Sequence, residues 1–435
     1  MTLFGSSGIR GRVFKEITLD LVMEIGKAVG SQYKKVVVGR DTRISGEMFK
    51  SAAVSGLLSA GSEAFDAGIT STPTLAWAAR NFDCGLMITA SHNPGGYNGV
   101  KFWNPNGLAF LKGQRDQIDD SLSKKEFRTV AWDKIGRMHK LDNTLQDHKK
   151  KILSGVGQSD IKVVVDCGNG ATFNITPSVL SEMGCTVVAI NDEPDGRFPS
   201  RNPEPVEENL SQLRTAVKES RADLGIAHDG DGDRMTAVDE NGRFIGGDKL
   251  LSILALNEVK DSLVVPVDAS MVVEDLLPEA KVYRTRVGDV FVGEELKERG
   301  ADFGAEPSGT WIFPRHFLCP DGVYAAAVLA EMVSHEGLSL LADKIPEYPQ
   351  KTEGIMFDPE DRESISRDLD TKMRSVDCEE LTTIDGWRLQ FKDGWALVRL
   401  SGTEPKVRIK VEAREDETVK EIYRTIHSIT EEVLR

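Results

Sequence analysis

Short apolar runs that end at glycine or at a polar turn recur along the first three quarters of the chain. Runs of this length with such boundaries are typical of buried β-strands. They predict strands at residues 35–41, 85–88, 161–166, 186–190, 224–228, 263–268, 282–287 and 301–304. Between them lie segments with the spacing or composition of helices, at residues 46–60, 177–183 and 208–219. This alternation of strand and helix predicts parallel sheets with helices on their faces.

The alternation passes through three cycles, which indicates three similar α/β domains. The last quarter of the chain differs. It predicts hairpin strands at residues 381–391 and 395–400, an alternating strand at 407–412 and an amphipathic helix at 415–434, which is an α+β arrangement. We therefore expect domains at residues 1–153, 154–246, 247–347 and 348–435, with a hinge at 246–248 and a linker at 345–350.

Length and charge narrow the class of protein. At 435 residues the chain is longer than one hydrophobic core usually organises, which agrees with several domains. The formal net charge of −15 disfavours nucleic acid or an anionic membrane as a partner, because both attract positive charge. Anionic small molecules remain compatible with this net charge, since a few arginines can dominate the electrostatic field inside a cleft.

Cysteine usage indicates the compartment. The five cysteines are scattered without a C-x-x-C pair, so neither a zinc site nor a disulfide framework is expected. The chain opens without a basic and apolar leader, and no apolar stretch reaches the length of a membrane span. We expect a cytoplasmic protein.

A serine follows the predicted strand at 85–88. It is Ser91, within the letters T-A-S-H-N-P at residues 89–94, and a glycine-rich turn comes next. A serine held at the end of a buried strand is well placed to attack a substrate or to carry a covalent group. His92 is adjacent and Lys101 lies ten residues on, so a proton acceptor and a cation are within reach. Taken alone, the stretch also fits a polar surface turn.

Three carboxylates, Asp229, Asp231 and Asp233, alternate with glycines directly after the predicted strand at 224–228. Because three such groups repel one another, a bound hard cation such as Mg²⁺ or Ca²⁺ is the economical explanation. The spacing to Glu240 also fits an EF-hand, but Arg234 stands where that motif needs glycine and the flanks are predicted strands. A solvated acidic turn is the alternative without metal.

Three further stretches carry groups that bind sugars or phosphates. Glu306 and Ser308, in G-A-E-P-S-G-T, pair a carboxylate with a hydroxyl that can bind vicinal sugar hydroxyls. Residues 399–408, R-L-S-G-T-E-P-K-V-R, combine two arginines and two hydroxyls around a glycine, as phosphate nests do. Near the start, glycines bracket Arg10, whose guanidinium matches phosphate oxygens. Ordinary turns, a hairpin with exposed charges and a disordered start are the alternatives.

Four motifs follow one another along the chain: T-A-S-H-N-P, D-G-D-G-D-R, E-P-S-G-T and R-x-S-G-T-E-P-x-x-R. This ordered set resembles the motifs of the α-D-phosphohexomutase superfamily, and the match spans Arg10 to Arg408. The resemblance implies three similar α/β domains with mixed sheets and a C-terminal α+β domain around a central cleft. It implies an isomerase that interconverts hexose 1- and 6-phosphates through a phosphoserine at Ser91. A hexose 1,6-bisphosphate would serve as intermediate and activator, and sugar phosphates would be the small-molecule partners.

The resemblance also assigns roles to residues. It implies one Mg²⁺ per chain, held by the group on Ser91 and by Asp229, Asp231 and Asp233. Lys101 would handle a proton or stabilise phosphate charge. The remaining residues would line the phosphoryl-transfer site (His92, Arg10, Arg234), bind the sugar (Glu306, Ser308) or hold the phosphate that is not reacting (Arg399, Ser401, Gly402, Thr403, Arg408).

The substrate is less sharply indicated. The forms of the phosphate and sugar loops resemble those of phosphoglucosamine mutases, with phosphomannomutase/phosphoglucomutase as the alternative and a metal-dependent sugar-phosphate phosphatase as a more distant one. Thr310 stands where many bacterial members have a histidine, and Gly288-Asp289 replaces a glycine-histidine pair of some relatives. The opening stretch carries Ser6-Ser7 where the superfamily usually has glycine and threonine. Oligomeric state is left open.

Overall fold

The computed structural model describes residues 4–5, 8–401 and 404–434. Four sheets follow one another along the chain, and we name the domains first to fourth after them. The elements of the first domain are β1 (Gly8–Arg12), α1 (Leu19–Gln32), β2 (Lys35–Arg40), α2 (Gly46–Ser59), β3 (Glu63–Ile69), α3 (Thr72–Ala79), β4 (Cys84–Ile88), β5 (Tyr97–Trp103), α4 (Lys112–Lys124), β6 (Met138–Lys140) and α5 (Thr144–Leu153).

The second and third domains continue the alternation of strands and helices. The second comprises β7 (Lys162–Asp166), α6 (Thr176–Met183), β8 (Thr186–Ile190), α7 (Ser211–Ser220), β9 (Leu224–His228), β10 (Met235–Asp239) and β11 (Phe244–Ile245). The third comprises α8 (Gly247–Glu258), β12 (Ser262–Pro266), α9 (Val272–Leu276), β13 (Lys281–Thr285), α10 (Asp289–Arg299), β14 (Phe303–Glu306), β15 (Thr310–Phe313), β16 (Phe317–Pro320), α11 (Gly322–His335) and α12 (Leu338–Asp343).

The first three sheets share one topology. In each, a strand lies between two parallel neighbours, as β2 does between β3 and β4, β7 between β8 and β9, and β12 between β13 and β14. The strand that follows each set of three in the chain then pairs antiparallel with the last of them, as β5 does with β4, β10 with β9 and β15 with β14. The prediction of three similar α/β domains with mixed sheets is confirmed at the level of strand order.

The fourth domain is a five-stranded antiparallel sheet with two helices, which confirms the α+β prediction. Its elements are β17 (Gln350–Met356), α13 (Arg362–Met373), β18 (Glu380–Thr382), β19 (Trp387–Phe391), β20 (Gly394–Leu400), β21 (Lys406–Ala413) and α14 (Asp416–Leu434).

Packing joins the second and third domains more tightly than their sequence order suggests. Helix α11 follows the third sheet but packs on α6, β9 and β10 of the second domain. One continuous cluster of buried residues therefore runs from Val163 and Ile226 to Val265 and Phe303. The loops at the ends of β9 and β14 are consequently held at a fixed separation.

Four polar loops begin at the carboxyl ends of strands, one from each domain. They follow β4, β9, β14 and β20, and they contain Ser91, the three aspartates, Ser308 and Ser401 respectively. The carboxyl edge of parallel strands is where α/β proteins place their ligand sites. The fold thereby directs four chemically distinct loops toward a common centre.

The structure corrects three details of the predicted elements. The strand predicted at 381–391 is two strands, β18 and β19, separated by a turn in which Gly386 has a φ of +81°. The helix predicted from residue 208 starts at Ser211, after a 3₁₀ turn at Glu207–Asn209. Arg10 lies in β1 and Lys101 in β5, not in loops, because those two strands pair with each other along their length.

Candidate active site

Ser91 has a left-handed backbone conformation with a φ of +51°, which is uncommon for a residue other than glycine. Its N–H donates to Thr89 Oγ1 at 2.9 Å, and the Thr89 hydroxyl donates to Asp41 Oδ2 at 2.7 Å. Both contacts are buried. The strained conformation is therefore held by a hydrogen-bonded chain that ends on a carboxylate.

Arg43 holds the rest of this loop, and sequence reasoning missed it. Its Nε lies 2.9 Å from Asp41 Oδ2, and both side chains are fully buried. Its two terminal nitrogens donate to four carbonyl oxygens of the serine loop, at residues 91, 93, 94 and 97, over 2.6 to 2.9 Å. A planar guanidinium with several fixed donors suits such a set. The only signal in the sequence was the pair of charges directly after β2.

The three aspartates after β9 converge at one point. Their carboxylate oxygens lie within 4.8 Å of one another, and all three residues are buried. The Ser91 hydroxyl donates to Asp229 Oδ2 at 2.6 Å, so the serine loop of the first domain meets the acidic loop of the second. The sequence itself predicted that the three aspartates share a cation, but only the resemblance joined Ser91 to them.

The alternating glycines permit this approach. A Cβ at Gly230 would lie 2.7 Å from the carbonyl oxygen of Ser91. Gly232 has a φ of +76°, and a Cβ there would lie 2.3 Å from Thr172 Cγ2. Larger residues at either position would push the acidic loop away from the serine.

Lys101 supplies positive charge to the acidic cluster. Its fully buried Nζ lies 2.8 Å from Asp231 Oδ2 and also contacts Asp233. Burial alone would lower the pKa of Lys101, but the two aspartates outweigh that effect and raise it. Burial and the neighbouring carboxylates raise the pKa of Asp229 well above its ordinary value. Arg234 and Arg10 also act electrostatically on the aspartates, so the lysine is not the sole source of positive charge near them.

The donor set fits a hard divalent cation. Asp231 Oδ1 and Asp233 Oδ1 are buried, and neither has a hydrogen-bond partner among the described residues. Unsatisfied buried carboxylate oxygens are costly unless a cation or a donor meets them. Glu240 points elsewhere, since it accepts from Ser339 N at 3.2 Å, and strands flank the loop on both sides. These residues therefore do not form an EF-hand.

His92 and Arg234 border the serine. His92 Nδ1 lies 3.3 Å from Ser91 Oγ. Burial, together with Arg234, Arg10 and Lys101, lowers the pKa of His92 to about 2, so the imidazole is neutral at physiological pH. The backbone of Arg234 forms a bridge with Thr310, which ties the acidic loop to the third domain.

Two carboxyl groups of the third domain, those of Glu306 and Asp289, lie near each other. Glu306 ends β14, and its Oε1 accepts from Gly288 N at 2.8 Å. Burial, with a contribution from Asp289, raises the pKa of Glu306 to about 8, and burial also raises the pKa of Asp289. Ser308 and Thr310 lie close by, with their hydroxyl oxygens 3.3 Å apart. Sequence reasoning noted Asp289 only as a departure from relatives and gave it no role.

The fourth domain presents paired arginines. Arg399 of β20 and Arg408 of β21 lie directly opposite each other in the sheet, where like charges repel. Arg399 Nη1 donates to Asp385 Oδ2 at 2.8 Å, and the same oxygen accepts from Val287 N of the third domain. An anion between the two guanidinium groups would relieve the repulsion. Gly402 and Thr403, predicted for the same loop, lie outside the described residues.

One cleft joins these groups. It has a volume of about 380 Å³ and is lined by residues of all four domains. Its lining includes ten of the residues predicted from sequence, Arg10, Ser91, His92, Asp233, Arg234, Glu306, Ser308, Arg399, Ser401 and Arg408. Lys101, Asp229 and Asp231 are buried behind this surface. The cleft thus brings Ser91 and Asp233 into one space with two arginines of the fourth domain.

Four domain profiles of one family match the chain in order. They describe the phosphoglucomutase/phosphomannomutase α/β/α domains I, II and III, at residues 1–129, 143–242 and 246–348, and the C-terminal domain, at residues 358–427. Together they cover most of the chain.

Relatives and solved structures agree with this match. A protein named "probable phosphoglucosamine mutase" from Methanocella arvoryzae is 51% identical over 99% of this chain and 98% of its own. One with the same name from Methanococcoides burtonii is 49% identical over 95% and 96%. A phosphoglucomutase/phosphomannomutase family protein from Burkholderia thailandensis has a TM-score of 0.89 at 27% identity, covering 99% of this chain and 97% of its own.

Among the described residues, every helix is too short or too polar to cross a bilayer.

We predict that Arg43→Lys lowers turnover by roughly 10- to 100-fold, because a lysine cannot bind four carbonyl oxygens and Asp41 together, and Ser91 loses its position. The melting temperature should fall by several degrees as well. Arg40→Lys is the matched control, since Arg40 pairs with the exposed Glu47 at the end of the same strand. Steady-state kinetics and thermal unfolding measure both effects. Wild-type turnover in Arg43→Lys would contradict the assignment.

A second prediction concerns Glu306 and pH. The unfolded carboxyl ionises near its ordinary pKa, whereas the folded one ionises near 8, so between these values the native state binds the extra proton. The free energy of unfolding therefore falls as pH rises through this window. Glu306→Gln removes this pH-dependent loss of stability. The free energy of unfolding of the variant, relative to wild type, should therefore rise by about 1–3 kcal/mol between pH 5 and pH 8.

Chemical denaturation at both pH values measures this difference. Exposed Glu208 provides the control, since Glu208→Gln should give a difference that does not change with pH. A Glu306→Gln difference that is equally constant, or that shrinks as pH rises, would show that the folded carboxyl is already ionised.

Proposed function

Because the chain belongs to the phosphoglucomutase/phosphomannomutase family and is a phosphohexomutase, we propose that it interconverts glucosamine 1-phosphate and glucosamine 6-phosphate through a phosphoserine at Ser91. The observation that carries the proposal is the 2.6 Å contact of the Ser91 hydroxyl with Asp229, at the end of a cleft that faces two arginines. Phosphohexomutases are isomerases of carbohydrate metabolism.

Asp229, Asp231 and Asp233 would hold one Mg²⁺ together with an oxygen of the phosphoryl group on Ser91. Mg²⁺ prefers oxygen ligands and usually takes only some of them from protein carboxylates. The two unsatisfied carboxylate oxygens of Asp231 and Asp233 support this assignment. When bound, the ion would neutralise charge on the transferring phosphoryl group.

In the first step, the bond between phosphorus and Ser91 Oγ would break as a bond to a sugar hydroxyl oxygen forms. The hydroxyl proton ends on Ser91 Oγ, which returns the serine to the form described above. The product is a hexose 1,6-bisphosphate. After the bisphosphate has turned in the cleft, its other phosphoryl group would pass back to Ser91.

The chain's own residues would act mainly by position and charge, since phosphoryl transfer needs little covalent help from the protein. Arg10, Arg234 and Lys101 would stabilise charge at the transfer site. Neutral His92 would direct a nitrogen toward Ser91 Oγ without competing with these cations.

The arginines of the fourth domain would hold the phosphate that is not reacting. A site that binds through charge suits both orientations of the sugar, because it does not depend on which carbon carries the phosphate. Ser401 lies at the end of β20 beside this pair and would contribute a donor, with Gly402 and Thr403 completing the loop. Glu306 and Ser308 would bind the sugar hydroxyls between the two ends.

Glucosamine is preferred as the substrate on two grounds. The curated relatives at 51% and 49% identity carry the name phosphoglucosamine mutase. In addition, Asp289 and Glu306 place two carboxyl groups on the wall of the cleft between its phosphate-binding ends. The ammonium group of glucosamine would favour their ionised forms, whereas glucose and mannose carry only a neutral hydroxyl at that carbon.

We also propose a reducing compartment such as the cytoplasm. The five cysteines are all unpaired, and four of them are buried. Proteins of oxidising compartments more often pair their cysteines.

A mutase assay tests the reaction class. With Mg²⁺ and a trace of glucosamine 1,6-bisphosphate, the protein should convert the 6-phosphate to the 1-phosphate without net release of inorganic phosphate. Ser91→Ala should lower turnover by roughly 10³-fold or more, while Ser55→Ala, at an exposed helix position, should not. Chelation of divalent cations should abolish turnover reversibly. Inorganic phosphate as the main product would favour a phosphatase.

A comparison of sugars tests the substrate. The kcat/KM should be higher for glucosamine 6-phosphate than for the glucose or mannose analogues. Asp289→Asn should reduce kcat/KM for glucosamine 6-phosphate by about 10-fold more than kcat/KM for glucose 6-phosphate, because the change removes one negative charge that faces the ammonium group. Glu298→Gln, on the exposed part of the same helix, is the control. Equal losses for both sugars, or a preference for mannose, would contradict the proposed substrate.

A further inference from the structure

A second cluster of metal-ligating groups lies apart from the aspartates of the cleft. It consists of His148 in α5, His316 in the turn between β15 and β16, and Asp321 directly before α11, and we name it the His/His/Asp cluster. The three side chains expose only 1%, 1% and 3% of their surface. One ligand atom from each lies within 4.8 Å of the others.

Two of the three side chains are oriented by contacts on their far sides. His148 Nδ1 lies 2.9 Å from Thr74 Oγ1, which directs Nε2 toward Asp321 Oδ2, also at 2.9 Å. Asp321 Oδ1 accepts from the N–H groups of Val323 and Tyr324 at the start of α11. Such outer contacts are typical of metal ligands, where they fix ring and carboxylate orientation. The remaining atoms, His148 Nε2 and Asp321 Oδ2, contact each other, and His316 Nε2 lies next to the same oxygen.

His316 shows that hydrogen bonding leaves this cluster incomplete. Its ring is stacked on Tyr324 with centroids 3.9 Å apart and planes 6° from parallel. Neither ring nitrogen has a hydrogen-bond partner among the described residues. Nε2 nonetheless lies 3.3 Å from Asp321 Oδ2, close but without hydrogen-bond geometry. Nε2 thus has this ion-pair contact but no formed hydrogen bond, and a buried imidazole satisfied so incompletely is costly unless another group meets it.

We propose that the His/His/Asp cluster is a structural site for a divalent transition metal of the zinc class. His148 Nε2, His316 Nε2 and Asp321 Oδ2 would be its protein ligands, and water would complete a tetrahedron. In such a site the ligand atoms lie about 3.3 Å from one another, given metal–ligand distances of about 2.0–2.1 Å. The observed separations of 2.9 and 3.3 Å around Asp321 are close to this value.

The donor set distinguishes this site from the acidic cluster. Two imidazole nitrogens and one carboxylate suit zinc, whereas three carboxylates suit magnesium. The two sites would therefore hold different ions in one chain. The sequence predicted no zinc site because it contains no C-x-x-C pair. That pattern detects only ligands that are close in sequence, whereas His148 lies far along the chain from His316 and Asp321.

The position of the cluster indicates what the metal would do. It would join α5, which packs on α3 of the first domain, to the start of α11 in the third. Thr74, which orients His148, belongs to the same helix as Thr72, and the Thr72 hydroxyl donates to Asp231 at 2.6 Å. The ion would thus fasten together the elements behind the acidic cluster, without contact to the substrate.

The test uses the full chain, stripped of metal by a chelator and returned to excess Mg²⁺ so that the oxygen site is filled. After dialysis against micromolar Zn²⁺, elemental analysis should find one equivalent of zinc in the wild type and in His335→Gln, which changes an exposed histidine. His148→Gln and His316→Gln should each lose that equivalent. Zn²⁺ should raise the melting temperature of the wild type and not of these two variants.

Co²⁺ gives a readout on the wild type alone, in case a variant folds poorly. Bound in place of zinc, it should produce the visible absorption bands of a tetrahedral ion with nitrogen ligands, and zinc should displace them. Wild-type protein that retains no zinc, Co²⁺ spectra of an octahedral oxygen site only, or uptake that is unchanged in both variants would each overturn the proposal. The mutase assay reports separately on the proposed function.

Discussion

Three buried carboxylates within 4.8 Å of one another can coexist only if nearby positive charge, protonation or both offset their repulsion. Here Asp229, Asp231 and Asp233 meet this condition in part through Lys101, whose Nζ lies 2.8 Å from Asp231. The lysine reaches them because β5 runs antiparallel to β4, which brings it back beside the strand that leads to Ser91. The serine, the lysine and the three aspartates therefore meet in one buried cluster.

The rest of the fold holds these groups in place against their mutual repulsion. Gly230 and Gly232 allow the acidic loop to approach the serine, and buried Arg43 holds the serine loop through its carbonyl oxygens. In the fourth domain, Arg399 and Arg408 lie opposite each other on two strands, and each also pairs with a carboxylate, Asp385 or Glu404. The cleft thus has cations in two places: Arg10, Arg234 and Lys101 lie among the aspartates beside Ser91, and the arginine pair lies in the fourth domain. A sugar carrying a phosphate at each end complements both, provided that a cation accompanies the phosphate beside the aspartates.

Much of this arrangement could be predicted from the sequence. Ser91, the three aspartates and the two arginines stand in compact motifs, where spacing and residue type carry the chemistry. The apolar runs predicted half of the strands described in the first three sheets, namely β2, β4, β7, β8, β9, β12, β13 and β14. The topology of the three sheets could be predicted only in outline, because the antiparallel strands after β4, β9 and β14 have no distinct local pattern. Arg43 and the His/His/Asp cluster could not be predicted, since their importance comes from contacts between residues far apart in the chain. Asp289 was visible only as a departure from relatives, and its position on the cleft wall depends on the packing of α10.

Phospho-Ser91 and a divalent cation would share the acidic cluster, and ³¹P NMR with Mn²⁺ in place of Mg²⁺ tests this arrangement most directly. The enzyme would first be phosphorylated with glucosamine 1,6-bisphosphate and freed of ligand, and the modified residue would be identified by mass spectrometry. We expect the phosphate on Ser91, with a resonance that stoichiometric Mn²⁺ broadens strongly in the wild type and far less in Asp231→Asn. A phosphate on another residue, or a phosphoserine signal that stays narrow with Mn²⁺ bound, would contradict this account.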